Sequence, residues 1–194
     1  IEWVEALWAV FKLRAVWINI NYRYVEDELT YIFDNADLEA LIYQREFSER
    51  IANVQAALPQ VKHFIVIEDD SGVADSTLTP TPYETAMTEN SPERDFPTRS
   101  GDDLYMLYTG GTTGMPKGVV WRHKDVFFAL GGGINQTTGE TVSHPQEVLD
   151  RGKDFSLCYL PIPPLMHGAS QWAVMGGAFE GRKVVLMEKF DARR

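Results

Sequence analysis

Four glycines, three threonines and one lysine fall within eleven residues at positions 108–118, YTGGTTGMPKG. These residue types suit phosphate. Gly110, Gly111 and Gly114 let the backbone approach an anion and turn its N–H groups inward. Thr109, Thr112 and Thr113 add hydroxyl donors, and Lys117 adds one mobile positive charge. Pro116 limits the conformations open to the chain before that lysine. The string does not end as the common nucleotide loop does, which needs Gly-Lys followed by Ser or Thr. Here Gly118 follows Lys117, so no adjacent hydroxyl can hold Mg²⁺. The β-like run VVWRH (119–123) then replaces the helix start on which such loops seat an anion. Gly-x-Gly-x-x-Gly is absent as well, which disfavours a dinucleotide fold. Residue types alone leave two readings open: a phosphate cradle, or a glycine-rich hairpin with a solvated lysine.

A second cluster lies fifty residues on, at PIPPLMHGA (161–169). His167 follows a proline-stiffened turn. No second His, Cys or carboxylate stands at ligand spacing, so no metal site is predicted there. His167 is then either a turn residue satisfied by backbone or part of a binding wall. The helix expected after it carries Trp172, Met175, Gly176 and Gly177. These offer a bulky wall, an adaptable wall and space for a ligand, or they are plain core packing. His123 is read as an anchor between a strand and a helix. Arg122 is read as an outward strand residue or a phosphate contact, and His63 and His144 as structural or surface residues.

The elements that must position these groups follow from periodicity. Strands are expected at 15–20, 38–43, 63–68, 103–109, 119–123, 155–160 and 183–188. Helices are expected at 25–36, 47–58, 124–134 and 169–181, with short ones near 83–89 and 145–150. Val25, Leu29, Ile32 and Phe33 form one helical stripe, and Ser48 is offered as an N-cap. Alternating strands and helices imply parallel pairing and an α/β fold. The division along the chain is an α/β segment at 1–68, a proline- and acid-rich surface connection at 69–103, and a segment carrying both motifs at 104–194.

Composition narrows the function classes. The chain has 194 residues, 44% of them hydrophobic, enough to bury a core. Its net charge of -10, from 18 basic and 28 acidic residues, argues against binding a nucleic-acid backbone. No apolar run of about 18 residues predicts a membrane span. Cys158 is the single cysteine, which excludes an intrachain disulfide and fits a reducing, cytoplasmic setting. The sequence opens without Met on a helical pattern and stops after an apolar run, so a fragment of a longer protein is expected.

YTGGTTGMPKGV closely resembles the phosphate-binding signature of the adenylate-forming superfamily, which includes acyl-CoA synthetases, adenylation domains and luciferases. The family pattern is Tyr-Thr-Ser-Gly-Thr-Thr-Gly-x-Pro-Lys-Gly-Val, and Gly110 replaces its serine. His123 and PLMHGA (164–169) also stand where the family has histidine and a carboxylate-site motif. The upstream segment resembles the family's Pro-x-Asn-Pro, helix, strand region, with Tyr22 replacing its second proline. The resemblance covers essentially the whole chain and looks closest to bacterial fatty-acyl or steroid-side-chain CoA ligases.

That resemblance implies part of a large N-terminal domain of mostly parallel sheets flanked by helices. It implies ATP with Mg²⁺, a carboxylic acid and coenzyme A as reactants. Thr109, Gly110, Gly111, Thr112, Thr113, Gly114 and Lys117 would cradle the β- and γ-phosphates. His167 would form a wall of the carboxylate site, and Trp172, Gly176 and Gly177 would border the acyl group. The family's Tyr-Gly-x-Thr-Glu, Thr-Gly-Asp and mobile C-terminal domain with its lysine are not in the sequence, so the chain by itself is expected to be inactive. A carrier-protein-loading adenylation domain and a non-catalytic nucleotide-binding module remain the alternatives.

Overall fold

The computed structural model describes residues 1–74, 77–110, 114–135, 138–153 and 157–187. Two three-stranded sheets, each with its own core, organise the chain. The expected α/β class is what is observed.

The first sheet has the order β1 (Trp17–Ile18), β5 (Leu104–Thr109), β6 (Lys117–Arg122). β1 runs parallel to β5, with Trp17 beside Tyr105. β6 runs antiparallel to β5, with Trp121 opposite Tyr105, Val119 opposite Leu107 and Lys117 opposite Thr109. Seven residues separate β5 from β6. That connection is too short for the crossover a parallel pair needs, so a hairpin is the only closure available.

One face of this sheet is covered by α1 (Glu2–Lys12), α5 (His123–Leu130) and α7 (Gly168–Phe179). Leu7, Phe11, Tyr105, Leu107, Val126 and Met175 form the core there. All five tryptophans of the chain pack against it. Trp3 meets Trp17 edge-on at 5.3 Å, and Trp121 meets Trp172 at 6.1 Å, the offset geometry that ring quadrupoles favour.

The second sheet lies in the chain between β1 and β5: β2 (Ala40–Gln44), β3 (His63–Ile67) and β4 (Thr81–Pro82), all parallel. α2 (Glu26–Asn35) buries Leu29, Ile32 and Phe33, and α3 (Ser48–Gln55) buries Ile51 and Val54, in a core shared with Leu41, Tyr43 and Val66. Each such fully buried aliphatic or aromatic side chain stabilises the fold by about 1.5–3 kcal/mol. α4 (Tyr83–Thr88) follows β4, a two-residue strand that periodicity missed. α6 (Gln146–Lys153) lies between the motifs.

Several expectations are corrected. Val25 stands at the helix N-cap, half exposed at 50%, and not on the buried stripe. Ser48 is not an N-cap. A short 3₁₀ turn at Arg45–Phe47 precedes it, and its hydroxyl is buried without a hydrogen-bond partner among the described residues. The expected strands at 155–160 and 183–188 lie partly outside the described residues. Between the rest there is one parallel bridge, Tyr159 to Val184.

Candidate functional site

Thr109 and Lys117 sit opposite each other at the mouth of the hairpin, where the Thr109 hydroxyl donates to the Lys117 carbonyl at 3.4 Å. Alternate residues of a strand share a face, and directly paired residues share it too. Tyr105, Leu107 and Thr109 therefore face the helices, as do Trp121, Val119 and Lys117. Pro116 is buried, while the Lys117 side chain is exposed and makes no ion pair among the described residues. Gly114 has φ +154°, a conformation side chains rarely adopt. A Cβ built on Gly110 would meet nothing within 4 Å among the described residues. Gly111, Thr112 and Thr113 lie outside the described residues.

Tyr108 points the other way. It packs against the second core, and its hydroxyl donates to Asn35 Oδ1 at 2.8 Å. The strand that feeds the loop is thus held on both faces.

The His167 turn docks on that strand. His167 is the N-cap of α7, with extended backbone at φ -95° and ψ 137°. A Cβ on Gly168 would stand 2.6 Å from Leu107 Cδ2, so the turn lies close against β5 and a side chain there would make Leu107 shift. Leu107 lies about 6–7 Å along the strand from Thr109. The two motifs, distant in sequence, therefore meet on one face of one strand.

Three successive carbonyls of the turn are satisfied from α7 and its N-cap. Ser170 Oγ donates to the Pro163 carbonyl at 2.7 Å, the His167 N–H to Pro164 at 3.0 Å, and Gln171 Nε2 to Leu165 at 2.9 Å. Gln171 is fully buried, and its Oε1 accepts from the Tyr105 hydroxyl at 2.5 Å. Burial pushes the Tyr105 phenol well above 10.0, against the opposing pull of the Trp172 indole N–H, so the hydroxyl keeps its proton and donates. Sequence reasoning missed Tyr105 and Gln171. The available signal was a long polar side chain in the otherwise small and apolar run ASQWAVMGGAF, which must find partners when buried.

The flanking residues fall into place. His123 opens α5, and its backbone N–H donates to Asp103 at 2.8 Å. Its Nε2 donates to the Leu104 carbonyl at 3.2 Å, and its ring lies 4.1 Å from Phe11. Burial lowers its pKa against the raising effects of the Leu104 carbonyl and Asp103, favouring a neutral anchoring ring. Arg122 is held by both oxygens of Asp125, at 2.7 and 3.0 Å, and stands 3.6 Å from Asp102. His63 begins β3 as an exposed residue, and His144 accepts from the Gln146 N–H.

Of the groups on α7, Trp172 packs on Trp121. The space beside Gly177 is filled by Val184 and Tyr159, and Gly176 faces the Leu130 carbonyl. Met175 and Phe179 line a cleft of about 520 Å³ with Trp8, Phe11 and Phe127; Trp172, Gly176 and Gly177 are not among its lining residues.

The family model of the AMP-binding enzymes matches residues 1–194. The chain is 52% identical over 192 residues to a 3-oxocholest-4-en-26-oate–CoA ligase of Rhodococcus rhodochrous, covering 98% of this chain and 35% of that protein. It is 42% identical over 197 residues to a medium/long-chain-fatty-acid–CoA/3-oxocholest-4-en-26-oate–CoA ligase of Mycobacterium marinum, covering 99% and 36%. A red-emitting luciferase of Phrixothrix hirtus shares the fold with a TM-score of 0.72 at 19% identity, over 99% of this chain and 35% of that one. The chain spans about a third of the length of the curated relatives it matches. The family match runs from the first residue to the last, and the chain belongs to the AMP-binding enzymes.

Proposed function

We propose that this chain is the phosphate- and carboxylate-binding part of an AMP-forming acid–thiol ligase acting on fatty or steroid-side-chain acids. The observation that carries the reading is the docking of the His167 turn on β5 beside the Thr109–Lys117 pair. A reaction between a carboxylate and ATP needs the two held together, and this arrangement supports that. The names of the relatives support the substrate class.

In the first half-reaction a carboxylate oxygen attacks the α-phosphorus of Mg·ATP. The bond from that phosphorus to the bridging oxygen breaks, and pyrophosphate leaves with the electron pair. Lys117 offsets charge on the β- and γ-phosphates as it accumulates, and Thr109 with the backbone of Gly110 and Gly114 orients them. Gly111, Thr112 and Thr113 complete the cradle on sequence grounds. His167 borders the carboxylate. In the second half-reaction the coenzyme A sulfur attacks the acyl carbon as the thiolate, its proton lost to solvent, a C–S bond forms, and the C–O bond to AMP breaks with AMP taking the electron pair. ATP and coenzyme A as reactants, with a single cysteine in the chain, fit a cytoplasmic enzyme. Trp172, Gly176 and Gly177 serve this site by packing α7.

The test is incubation of the intact protein with ATP, coenzyme A and a panel of fatty and steroid-side-chain acids. The expected products are AMP, pyrophosphate and an acyl thioester, with none from the 194-residue chain alone. ADP as product, or transfer to a holo-carrier protein in preference to coenzyme A, would overturn the reading. A second expectation concerns Gly110. With nothing within 4 Å of its Cβ among the described residues, Gly110→Ser is expected to fit. The KM for ATP in the intact protein should stay within about tenfold of the parent, since one exposed hydroxyl contributes roughly 0.5–1.5 kcal/mol at most.

A further inference from the structure

We infer that Tyr105 and Gln171 are positioning residues that hold the His167 turn in register with the phosphate hairpin. The inference rests on the ligase reading above. Its basis is a continuous buried path of hydrogen bonds. The Tyr105 hydroxyl donates to Gln171 Oε1, and Gln171 Nε2 donates to the Leu165 carbonyl, two residues before His167. Tyr105 lies on β5, four residues before Thr109. Both side chains are fully buried.

The geometry separates this pair from an ordinary core contact. Gly168 already fixes how closely the turn approaches the sheet, through its contact with Leu107. That contact is apolar and sets a distance, but it leaves the turn free to slide along the strand. The Gln171 amide adds direction. It spans from a strand hydroxyl to a turn carbonyl and uses its acceptor on one and its donor on the other. With each end directional, the turn has one register on β5. β5 leads straight into Thr109 and the hairpin, so that register also sets where His167 stands relative to the bound phosphates.

An apolar side chain of the same volume would fill the same space, so packing alone does not demand glutamine. It does demand partners for a buried amide, and the two it has lie on the two elements that must be aligned. In-line attack tolerates little misplacement: about 1 Å can cost on the order of 100-fold.

The test uses the intact protein with Tyr105→Phe, Gln171→Met and the double variant, assayed by acid-dependent pyrophosphate exchange. Phe keeps the ring and Met the approximate volume, so each preserves packing. Each single variant should lower kcat/KM for the acid by about tenfold, with the KM for Mg·ATP moving less than about twofold. The double variant should match the singles, because either substitution breaks the one path. A melting temperature reduced with kcat/KM for the acid unchanged would show a structural brace only and overturn the proposal. Equal losses for acid and ATP would overturn it too, since the hairpin itself would then be disturbed. If Gln171→Met does not fold, Tyr105→Phe decides alone by the same split. Exchange by the parent with no acid would overturn the ligase reading, and this proposal with it. Exchange by the parent and undiminished exchange by the variants overturns this proposal alone.

Discussion

Lys117→Ala in the intact protein should reduce acid-dependent pyrophosphate exchange by about 10²–10³-fold, the usual loss when one group stabilising developing charge is removed. Lys117 starts β6 opposite Thr109, so its backbone is fixed while its side chain projects from the rim. It is exposed and makes no ion pair among the described residues. Among the described residues no partner competes for its charge, and none is left unpaired when it is removed. The fold should therefore be intact, and the melting temperature should move by no more than a surface substitution does, about 0.5 kcal/mol in stability. Lys117→Arg should recover only part of the activity, because a planar fork replaces a compact ammonium. Steady-state exchange kinetics with a thermal melt on the same samples check both halves. Exchange at the parental rate in Lys117→Ala would remove this lysine from the chemistry.

Gly177→Val should cost stability and leave acid preference alone. A Cβ there would lie 2.5 Å from Val184 Cγ2 and 3.2 Å from Tyr159 Cδ2. Carbon atoms in contact prefer about 3.5–4.0 Å, so the first of these must move. Val184 yields poorly. It is stiff at χ1, and its segment is tied to Tyr159 by hydrogen bonds at 2.9 and 2.8 Å. The further methyls of valine deepen the overlap. Overpacking of this kind costs about 1–3 kcal/mol, and for a β-branched residue replacing glycine here the upper part of that range is expected. Thermal unfolding of the intact variant measures it, beside exchange rates across acids of rising chain length. An unchanged melting temperature with a shifted chain-length preference would instead make Gly177 a wall of the acyl site.

The sequence made the chemistry of the hairpin more legible than its surroundings. Glycine, threonine and lysine types suited a phosphate cradle but fitted a plain hairpin as well, and the resemblance of the whole string decided between the two readings. The alternation of strands and helices through His63–Ile67 was legible from local residue types: FIVI is apolar, and three of its four residues are β-branched. His123 was read as an anchor, and the anchor is there, at the start of α5. What escaped was tertiary. Nothing local marks Gln171 and Tyr105 as partners 66 residues apart. Nothing local says that Gly168 lies close enough to β5 for a Cβ there to displace Leu107. Ser48 looked like a cap by type, yet a 3₁₀ turn before it takes that place and the hydroxyl points into the core. Trp172 and Gly177 looked like ligand walls because bulk beside space is what a pocket needs. It is equally what a helix needs to lie close against a neighbour, and Val184 and Trp121 occupy that space.

The most direct measurement is acid-dependent exchange of labelled pyrophosphate into ATP by the intact protein, across fatty acids of several lengths and a steroid-side-chain acid. Exchange is expected to require an acid, to peak with members of those two classes and to be lost in Lys117→Ala. No exchange with any acid, or exchange that proceeds equally without one, would contradict the ligase reading.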